Sequence, residues 1–84
     1  MKLYKHTNGK CNISGAKIRS LRESADLSQE QLAAKLQLAG LNLNQKAISR
    51  IETGERVVPD FELLYFSKIL GVPVQELLGK ENGD

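Results

Sequence analysis

Apolar residues recur at the spacing of α-helices in five stretches of this chain, with polar or glycine-containing segments between them. The first predicted helix covers residues 15–25, with Ser14 as its N-cap. The second follows Ser28 and ends at residue 38 or 39, where Gly40 can adopt the left-handed conformation that stops a helix. The pattern predicts an all-α fold.

The start of the second helix carries two local signals. Ser28 and Gln31 have the spacing of a capping box, in which each side chain bonds the backbone N–H of the other residue. Leu27 and Leu32 flank the cap as a hydrophobic staple. Both signals locate the helix start independently of the apolar pattern.

The third predicted helix begins after Asn44, which is its N-cap, and ends at Gly54. Leu43 and Ile48 repeat the hydrophobic staple of the second helix. Leu41 and Leu43 are apolar residues in a connecting loop, so we expect them to be tucked under the helices.

Asp60 is predicted to cap a fourth helix over residues 61–70, which Gly71 ends. A short fifth helix over residues 74–78 follows Pro73. The fourth helix has more apolar surface than one small core requires. Its predicted core stripe consists of Leu63, Phe66, Ser67 and Leu70, and its second apolar stripe of Phe61, Tyr65 and Ile69.

The third helix has one apolar face, with Ile48 and Ile51, and one polar face. The polar face consists of Gln45, Lys46, Ser49, Arg50 and Thr53. Amide groups can pair with base edges, and cationic groups can pair with bases or phosphates. This composition predicts a helix that reads DNA. The alternative is an ordinary solvated helix face.

Charge is distributed unevenly along the 84 residues. Residues 1–50 contain nine Lys/Arg and three Asp/Glu, a net charge of +6, whereas residues 51–84 contain three Lys/Arg and seven Asp/Glu, a net charge of −4. A cationic half can attract a polyanion while the acidic half faces away from it. The alternative is that these charges only solvate helix faces.

Several function classes find no support in the residues present. Cys11 is the only cysteine and His6 the only histidine, so we expect no disulfide, no metal site, no cofactor and no catalytic set. Cys11 is interpreted as an inert thiol rather than a redox-sensitive one. No apolar run approaches the roughly 18 residues of a membrane span, and the N-terminus lacks the apolar region of a secretory signal. We therefore expect a cytoplasmic protein that is not an enzyme.

Three segments together resemble the lambdoid-repressor or Xre-type helix-turn-helix family. They are SQEQLAAKL, AISRIETGER, and PDFELLYFSKILGV followed by VQELL, and the resemblance covers roughly residues 14–79. It implies a compact five-helix, lambda-repressor-like domain whose helices 2 and 3 form the helix-turn-helix. It further implies sequence-specific binding of a double-stranded DNA operator, usually as a homodimer, to regulate transcription, with repression expected.

The resemblance also implies roles for individual residues. It puts Gln45, Lys46, Ser49 and Arg50 on the base-reading side of helix 3. It puts Gln29, Thr53 and the 54–56 turn with Arg56 at DNA phosphates, and we expect Lys35 and Lys10 to contact phosphates as well. It pairs Arg22 of helix 1 with Glu52 of helix 3 as a structural ion pair.

The chain departs from the family pattern between helices 2 and 3. The distance from Leu32 to Ile48 is 16 positions, which is longer than in the common form, and Gln37 replaces the usual glycine after helix 2. The inserted segment QLAGLNL, residues 37–43, either extends helix 2 or lengthens the turn. It affects the approach angle of helix 3 but leaves helix 3 itself intact.

The sequence predicts three regions: a basic flexible leader over residues 1–13, the helix-turn-helix domain over 14–79, and a polar tail over 80–84. The cations of the leader, Lys2, Lys5 and Lys10 with His6, belong either to a DNA-contacting arm or to a disordered segment.

Two further choices stay open. The second stripe of helix 4 is a homodimer contact, a docking site for a protein partner on helices 4 and 5, or part of a larger core. The function is that of a transcriptional regulator or, alternatively, of an antitoxin that binds a partner protein and autoregulates its operator.

Overall fold

Five helices make up the part of the chain that the computed structural model describes, namely His6 and residues 8–79. They are α1 (Gly15–Ser24), α2 (Gln29–Leu38), α3 (Gln45–Thr53), α4 (Asp60–Leu70) and α5 (Val74–Leu77). The described residues contain no strand, so the predicted all-α, five-helix fold is confirmed. Lys2 and Lys5 of the predicted arm, and the predicted tail over residues 80–84, lie outside the described residues.

The core lies where α1, α2 and α3 meet α4 and α5. α1 packs against α3, α4 and α5, while α2 packs against α3 and α4. Burying one such aliphatic side chain contributes about 1.5–3 kcal/mol, so these contacts are what holds the short helices in place. The fully buried large side chains are Ile18, Leu32, Leu36, Ile48, Ile51, Phe66 and Leu77.

The predicted capping box at α2 is present. The Gln31 N–H donates to the Ser28 hydroxyl oxygen at 3.0 Å, and the Ser28 N–H donates to the Gln31 side-chain oxygen at 2.8 Å. Asn44 likewise caps α3, with its side-chain oxygen accepting from the Ala47 N–H at 2.8 Å. The starts of α2 and α3 are therefore set by local sequence.

The loop between α2 and α3 begins with a Schellman motif. Gly40 has a positive φ of +106°. The Leu41 N–H donates to the Leu36 carbonyl and the Gly40 N–H to the Gln37 carbonyl, at 2.9 and 3.0 Å. This turn directs Leu41 back to the core beside Leu36, and Leu43 follows, so both loop leucines are buried as predicted. α2 ends at Leu38, so the inserted segment contributes its first two residues to the helix and the remaining five to the turn.

Of the predicted helix caps, Ser14 has the N-cap position of α1 but makes no capping bond, and the Asp60 cap is wrong. Ser14 has helical backbone angles and makes no side-chain capping bond; the Gly15 N–H donates instead to the side-chain oxygen of Asn12 at 2.8 Å. Asp60 is not a cap but the first residue of α4, after Pro59. Its carboxylate in the first turn still interacts favourably with the helix dipole.

Candidate nucleic-acid interface

α3 presents a polar surface on the side that faces away from the core. Gln45, Lys46, Arg50 and Thr53 are exposed, and Ser49 is half-buried. The opposite side is anchored by Ile48 and Ile51, which are fully buried. Because apolar and polar residues alternate at the helical period, burying one face exposes the other as a continuous strip. The strip contains the four predicted base-reading residues together with Thr53.

The predicted ion pair between α1 and α3 is present and buried. Arg22 donates from Nε to Glu52 Oε2 at 2.7 Å and from Nη2 to Oε1 at 3.1 Å. Its Nη1 donates to the Leu27 carbonyl at 2.7 Å, just before α2. The hydrogen bond to Glu52 raises the pKa of Arg22 above its ordinary value. The hydrogen bonds of Arg22 thus connect three elements: α1, α3, and the segment just before α2.

Gln29 extends these hydrogen bonds to the exposed polar strip of α3. Its side-chain nitrogen donates to Glu52 Oε1 at 3.0 Å, and its side-chain oxygen accepts from the Gln45 side-chain nitrogen at 2.6 Å. Both ends of the Gln29 amide are therefore used within the protein. The sequence predicts Gln29 at a phosphate, but here its side chain orients Gln45. Its backbone N–H remains one of the unpaired donors at the start of α2.

Asn12 ties the C-terminal end of α3 to the start of α1. Its side-chain nitrogen donates to the carbonyls of Ile51 and Arg56 at 3.0 and 2.7 Å, while its side-chain oxygen accepts from Gly15 N–H. The residue lies within the segment predicted to be a flexible leader. Cys11 lies beside it, and the Cys11 N–H donates to the Gly54 carbonyl at 2.8 Å.

The close contact between α1 and α3 requires glycine at position 15. A Cβ added there would overlap the backbone oxygen of Ile51 and approach the Asn12 side-chain oxygen to 2.9 Å. The absence of a side chain lets the start of α1 pack directly on the α3 backbone. The orientation of α3 therefore depends on Gly15 as well as on Asn12.

The guanidinium group of Arg56 is held within the protein. Arg56 Nη1 and Nη2 donate to the two carboxylate oxygens of Glu62 at 2.7 and 3.0 Å, and Glu62 is buried. The hydrogen bond to Glu62 raises the pKa of Arg56. Arg56 is predicted to contact a phosphate, but in this structure its guanidinium fixes the α3–α4 connector to α4. A bidentate partner of this kind is not readily given up.

The other predicted phosphate contacts are on the surface. Lys35 is exposed on α2. Thr53 is exposed at the end of α3, where its hydroxyl donates to the carbonyls of Ser49 and Arg50 at 3.2 and 3.3 Å. Lys10 packs its stem on Gly54 and directs its amino group towards the Thr53 carbonyl, at 3.5 Å. A cation there interacts favourably with the C-terminal end of the α3 dipole.

A family model described as a helix-turn-helix domain matches residues 15–78, which is most of the chain. The chain belongs to the helix-turn-helix domain family. The predicted resemblance to Xre-type regulators is thereby confirmed. A search of curated proteins finds no match.

The solved structures that resemble this helix-turn-helix chain include two with 30% sequence identity. One is the restriction-modification controller protein C.AhdI from Aeromonas hydrophila, with 30% identity, a TM-score of 0.66, and coverage of 76% of this chain and 86% of that one. The other is the DNA-binding domain of BldD, with 30% identity, a TM-score of 0.71, and coverage of 87% and 99%. Both similarities extend over nearly the whole described fold.

The second apolar stripe of α4 is divided between core and surface. Tyr65 and Ile69 are half-buried and pack against the core, as the larger-core alternative predicts. Phe61 is 55% exposed, and Leu64, which the stripe did not include, is 58% exposed. The exposed apolar surface of α4 is therefore Phe61 with Leu64.

Sequence reasoning missed three residues that position the helix-turn-helix: Asn12, Gly15 and Glu62. Asn12 bonds to Arg56, which is 44 positions away in the sequence. Glu62 bonds to the same Arg56, which lies in the connector before α4. Neither bond belongs to a local pattern that identifies the residue from the sequence. Gly15 is the first residue of its helix, where glycine has little cost, so its packing role has no signal in the sequence.

His6 and residues 8–79 contain no group of three His, Cys, Asp or Glu side chains placed to hold a metal ion. None of the helices in that part of the chain has the length and apolar character needed to cross a bilayer.

Proposed function

We propose that this protein is a cytoplasmic, non-enzymatic transcriptional regulator that binds a specific double-stranded DNA operator with α3 in the major groove. The observation that carries the proposal is the exposed strip on α3, which contacts with two other helices hold in place. Arg22 and Gly15 hold α3 to α1, and Gln29 holds it to α2. A rigid helix with oriented polar side chains is what direct readout of base edges requires. The similarity to a controller protein and to a DNA-binding domain supports it.

The residue types on the strip suggest a division of roles. Arg50 and Lys46 suit the N7 and O6 acceptors of guanine, and Gln45 suits the N6 and N7 groups of adenine. Ser49 can pair with either. Each good bidentate contact discriminates against a wrong base by ~1–3 kcal/mol.

Phosphate contacts would set the register of the protein on the duplex. The free N–H groups at the start of α2, beginning with Gln29, form an anion-binding end. Lys35 and Thr53 are exposed near the two helices and would add further contacts. Arg56 contributes by holding the connector against Glu62, so its effect on DNA binding is indirect.

We further propose that the protein binds as a homodimer through Phe61 and Leu64 of α4. Two recognition helices related by a twofold axis would lie roughly 34 Å apart, one helical turn of DNA. A dimer on an operator excludes other proteins from that DNA, so repression is the proposed mode of regulation.

Selection of bound duplexes from a random DNA pool tests the function. We expect recovered sequences to share a short twofold-related motif, and affinity for the motif to exceed that for a scrambled duplex by 10³-fold or more, roughly the lower bound for specific binders. Arg50→Ala should relax the preference at one base position per half-site. Affinity that varies with salt but not with sequence would contradict specific readout.

A further inference from the structure

Glu55 brings a carboxylate next to the cationic side of α3. It follows Gly54, whose left-handed backbone, with φ of +84°, ends the helix. The Glu55 N–H donates to the Arg50 carbonyl at 2.8 Å, and the Gly54 N–H to the Ile51 carbonyl at 3.1 Å. These two bonds form a Schellman motif. The motif fixes the backbone of residue 55 against the last turn of α3, so its side chain begins beside Arg50.

The side chains of Glu55 and Arg50 form an open ion pair. The Glu55 Oε1 atom lies 3.8 Å from Arg50 Nε, and the two side chains are 65% and 54% exposed. The buried pair of Arg22 and Glu52, by contrast, is closed at 2.7 Å. An open, exposed pair adds little to folding stability. It can separate whenever DNA offers Arg50 a better partner.

Both side chains line a shallow depression of about 420 Å³ on the flank of α3. Lys46 and Arg56 contribute the other charges of this lining. Because Glu62 already neutralises Arg56, the cations of this lining that are left to the carboxylate of Glu55 are Arg50 and Lys46. These are two of the proposed base-reading residues.

We infer that Glu55 is a specificity-determining residue, which restrains Arg50 from pairing with phosphates and releases it to guanine. Every DNA sequence offers phosphates, and moving Arg50 to one of them only exchanges one anionic partner for another. The phosphate that Arg50 contacts would also lie close to the Glu55 carboxylate, and the two negative charges repel each other. A guanine in the correct position offers two aligned acceptors without a full negative charge near Glu55. The carboxylate therefore weakens binding to wrong sequences more than binding to the operator.

Because this role presupposes the proposed DNA binding, the test uses two duplexes: the highest-affinity duplex from the random-pool selection and a scrambled duplex of the same base composition. Glu55→Gln is compared with wild type by fluorescence anisotropy over a salt series. We expect affinity for the scrambled duplex to rise about two- to fivefold, the range of an exposed ion pair. Affinity for the selected duplex should change less, so the ratio of the two affinities falls.

Glu76→Gln is the matched control, since it removes the same charge on α5, which packs against α1 and α4. It should leave the ratio of affinities unchanged. In an Arg50→Ala background, Glu55→Gln should have a smaller effect on the scrambled duplex than in wild type. An equal effect in both backgrounds overturns the action through Arg50.

The two proposals fail in different ways. A wild-type protein with no preference between the duplexes refutes the proposed function. A wild-type preference that Glu55→Gln leaves intact, or that Glu76→Gln lowers equally, refutes only the role of Glu55.

Discussion

At the scale of single residues, the proposed interface depends on side chains that are hydrogen-bonded to one another within the protein. Gln45 is a candidate reader of adenine, but its amide is already bonded to Gln29, which is bonded to Glu52. Such a chain of hydrogen bonds limits the rotamers of Gln45 and presents the amide in one orientation. Preorganisation of this kind reduces the entropy that binding would otherwise cost.

Gln29→Ala is predicted to lower affinity for the operator about three- to tenfold, the equivalent of one net hydrogen bond. The reason is that Gln45 loses the partner that orients it. Binding assays with Gln29→Ala, Gln45→Ala and the double variant measure the coupling. If Gln29 acts through Gln45, its substitution should have little effect once Gln45 is alanine.

Gln75→Ala on α5 is the matched control for this cycle, because Gln75 is exposed and lies outside α2 and α3. Fully additive effects of the two interface substitutions would contradict the orienting role. They would favour an independent contact between Gln29 and the DNA backbone.

Gly15→Ala is predicted to lower the free energy of unfolding by about 1–3 kcal/mol, the usual cost of overpacking. Alanine normally favours a helix over glycine, but here its Cβ would overlap the Ile51 carbonyl oxygen. Urea denaturation measures the change. Ser20→Ala, on the exposed side of α1, should be neutral or slightly stabilising. A Gly15→Ala protein as stable as wild type would show that α1 and α3 can separate without cost.

At the scale of elements, α3 is held at both ends by different means. Its N-terminal end depends on Asn44 as a local cap and on the Gln29–Gln45 bond to α2. Its C-terminal end depends on Asn12, which bonds two carbonyls at the α3 terminus and in the connector. A helix of nine residues has little stability by itself, so these ties decide its orientation.

Asn12→Ala is predicted to destabilise the fold by ~1–3 kcal/mol, because it removes the partner of part-buried carbonyls that water cannot fully replace. Chemical denaturation followed by circular dichroism measures the loss. Asn8→Ala is the matched control: the Asn8 side chain makes one exposed bond, to the Lys10 N–H. Equal stabilities of the two variants would mean that Asn12 does not tie α1 to α3.

At the scale of the whole molecule, the proposed dimer depends on the apolar surface that the fold leaves uncovered. Phe61 and Leu64 are one helical turn apart on α4 and are both more than half exposed. Tyr65 and Ile69 are largely used within the monomer. The contact available to a second copy is therefore smaller than the full stripe suggests, and binding to adjacent half-sites on DNA would strengthen it.

Leu64→Glu is predicted to abolish self-association, because two carboxylates would be buried near the twofold axis. Sedimentation equilibrium at micromolar protein measures the oligomeric state. Leu38→Glu is the matched control, since Leu38 is 90% exposed on α2, and its substitution should leave the dimer intact. A wild-type protein that is monomeric at these concentrations excludes the free dimer, and an effect of both variants excludes α4 as the specific contact.

Most of the fold could be predicted from the sequence because its signals are local. The spacing of apolar residues, the capping box of Ser28 and Gln31, and the left-handed glycines at 40 and 54 each act within a few residues. The burial of Leu41 follows from the same local turn chemistry. Even the Arg22–Glu52 pair could be anticipated, though from the family resemblance and not from spacing.

The tertiary structure decided the partners of polar side chains, which no period in the sequence encodes. Asn12 is predicted to lie in a leader, yet it joins α1 to α3, and its bond to Ile51 spans 39 positions of the chain. Arg56 is predicted to contact a phosphate, yet buried Glu62 holds its guanidinium. The partner of a polar side chain on one helix depends on which residues of the other helices pack beside it. The sequence by itself determined which residues form the helices and which face of α3 is polar, whereas only the packing determined which of those polar groups remain available to DNA.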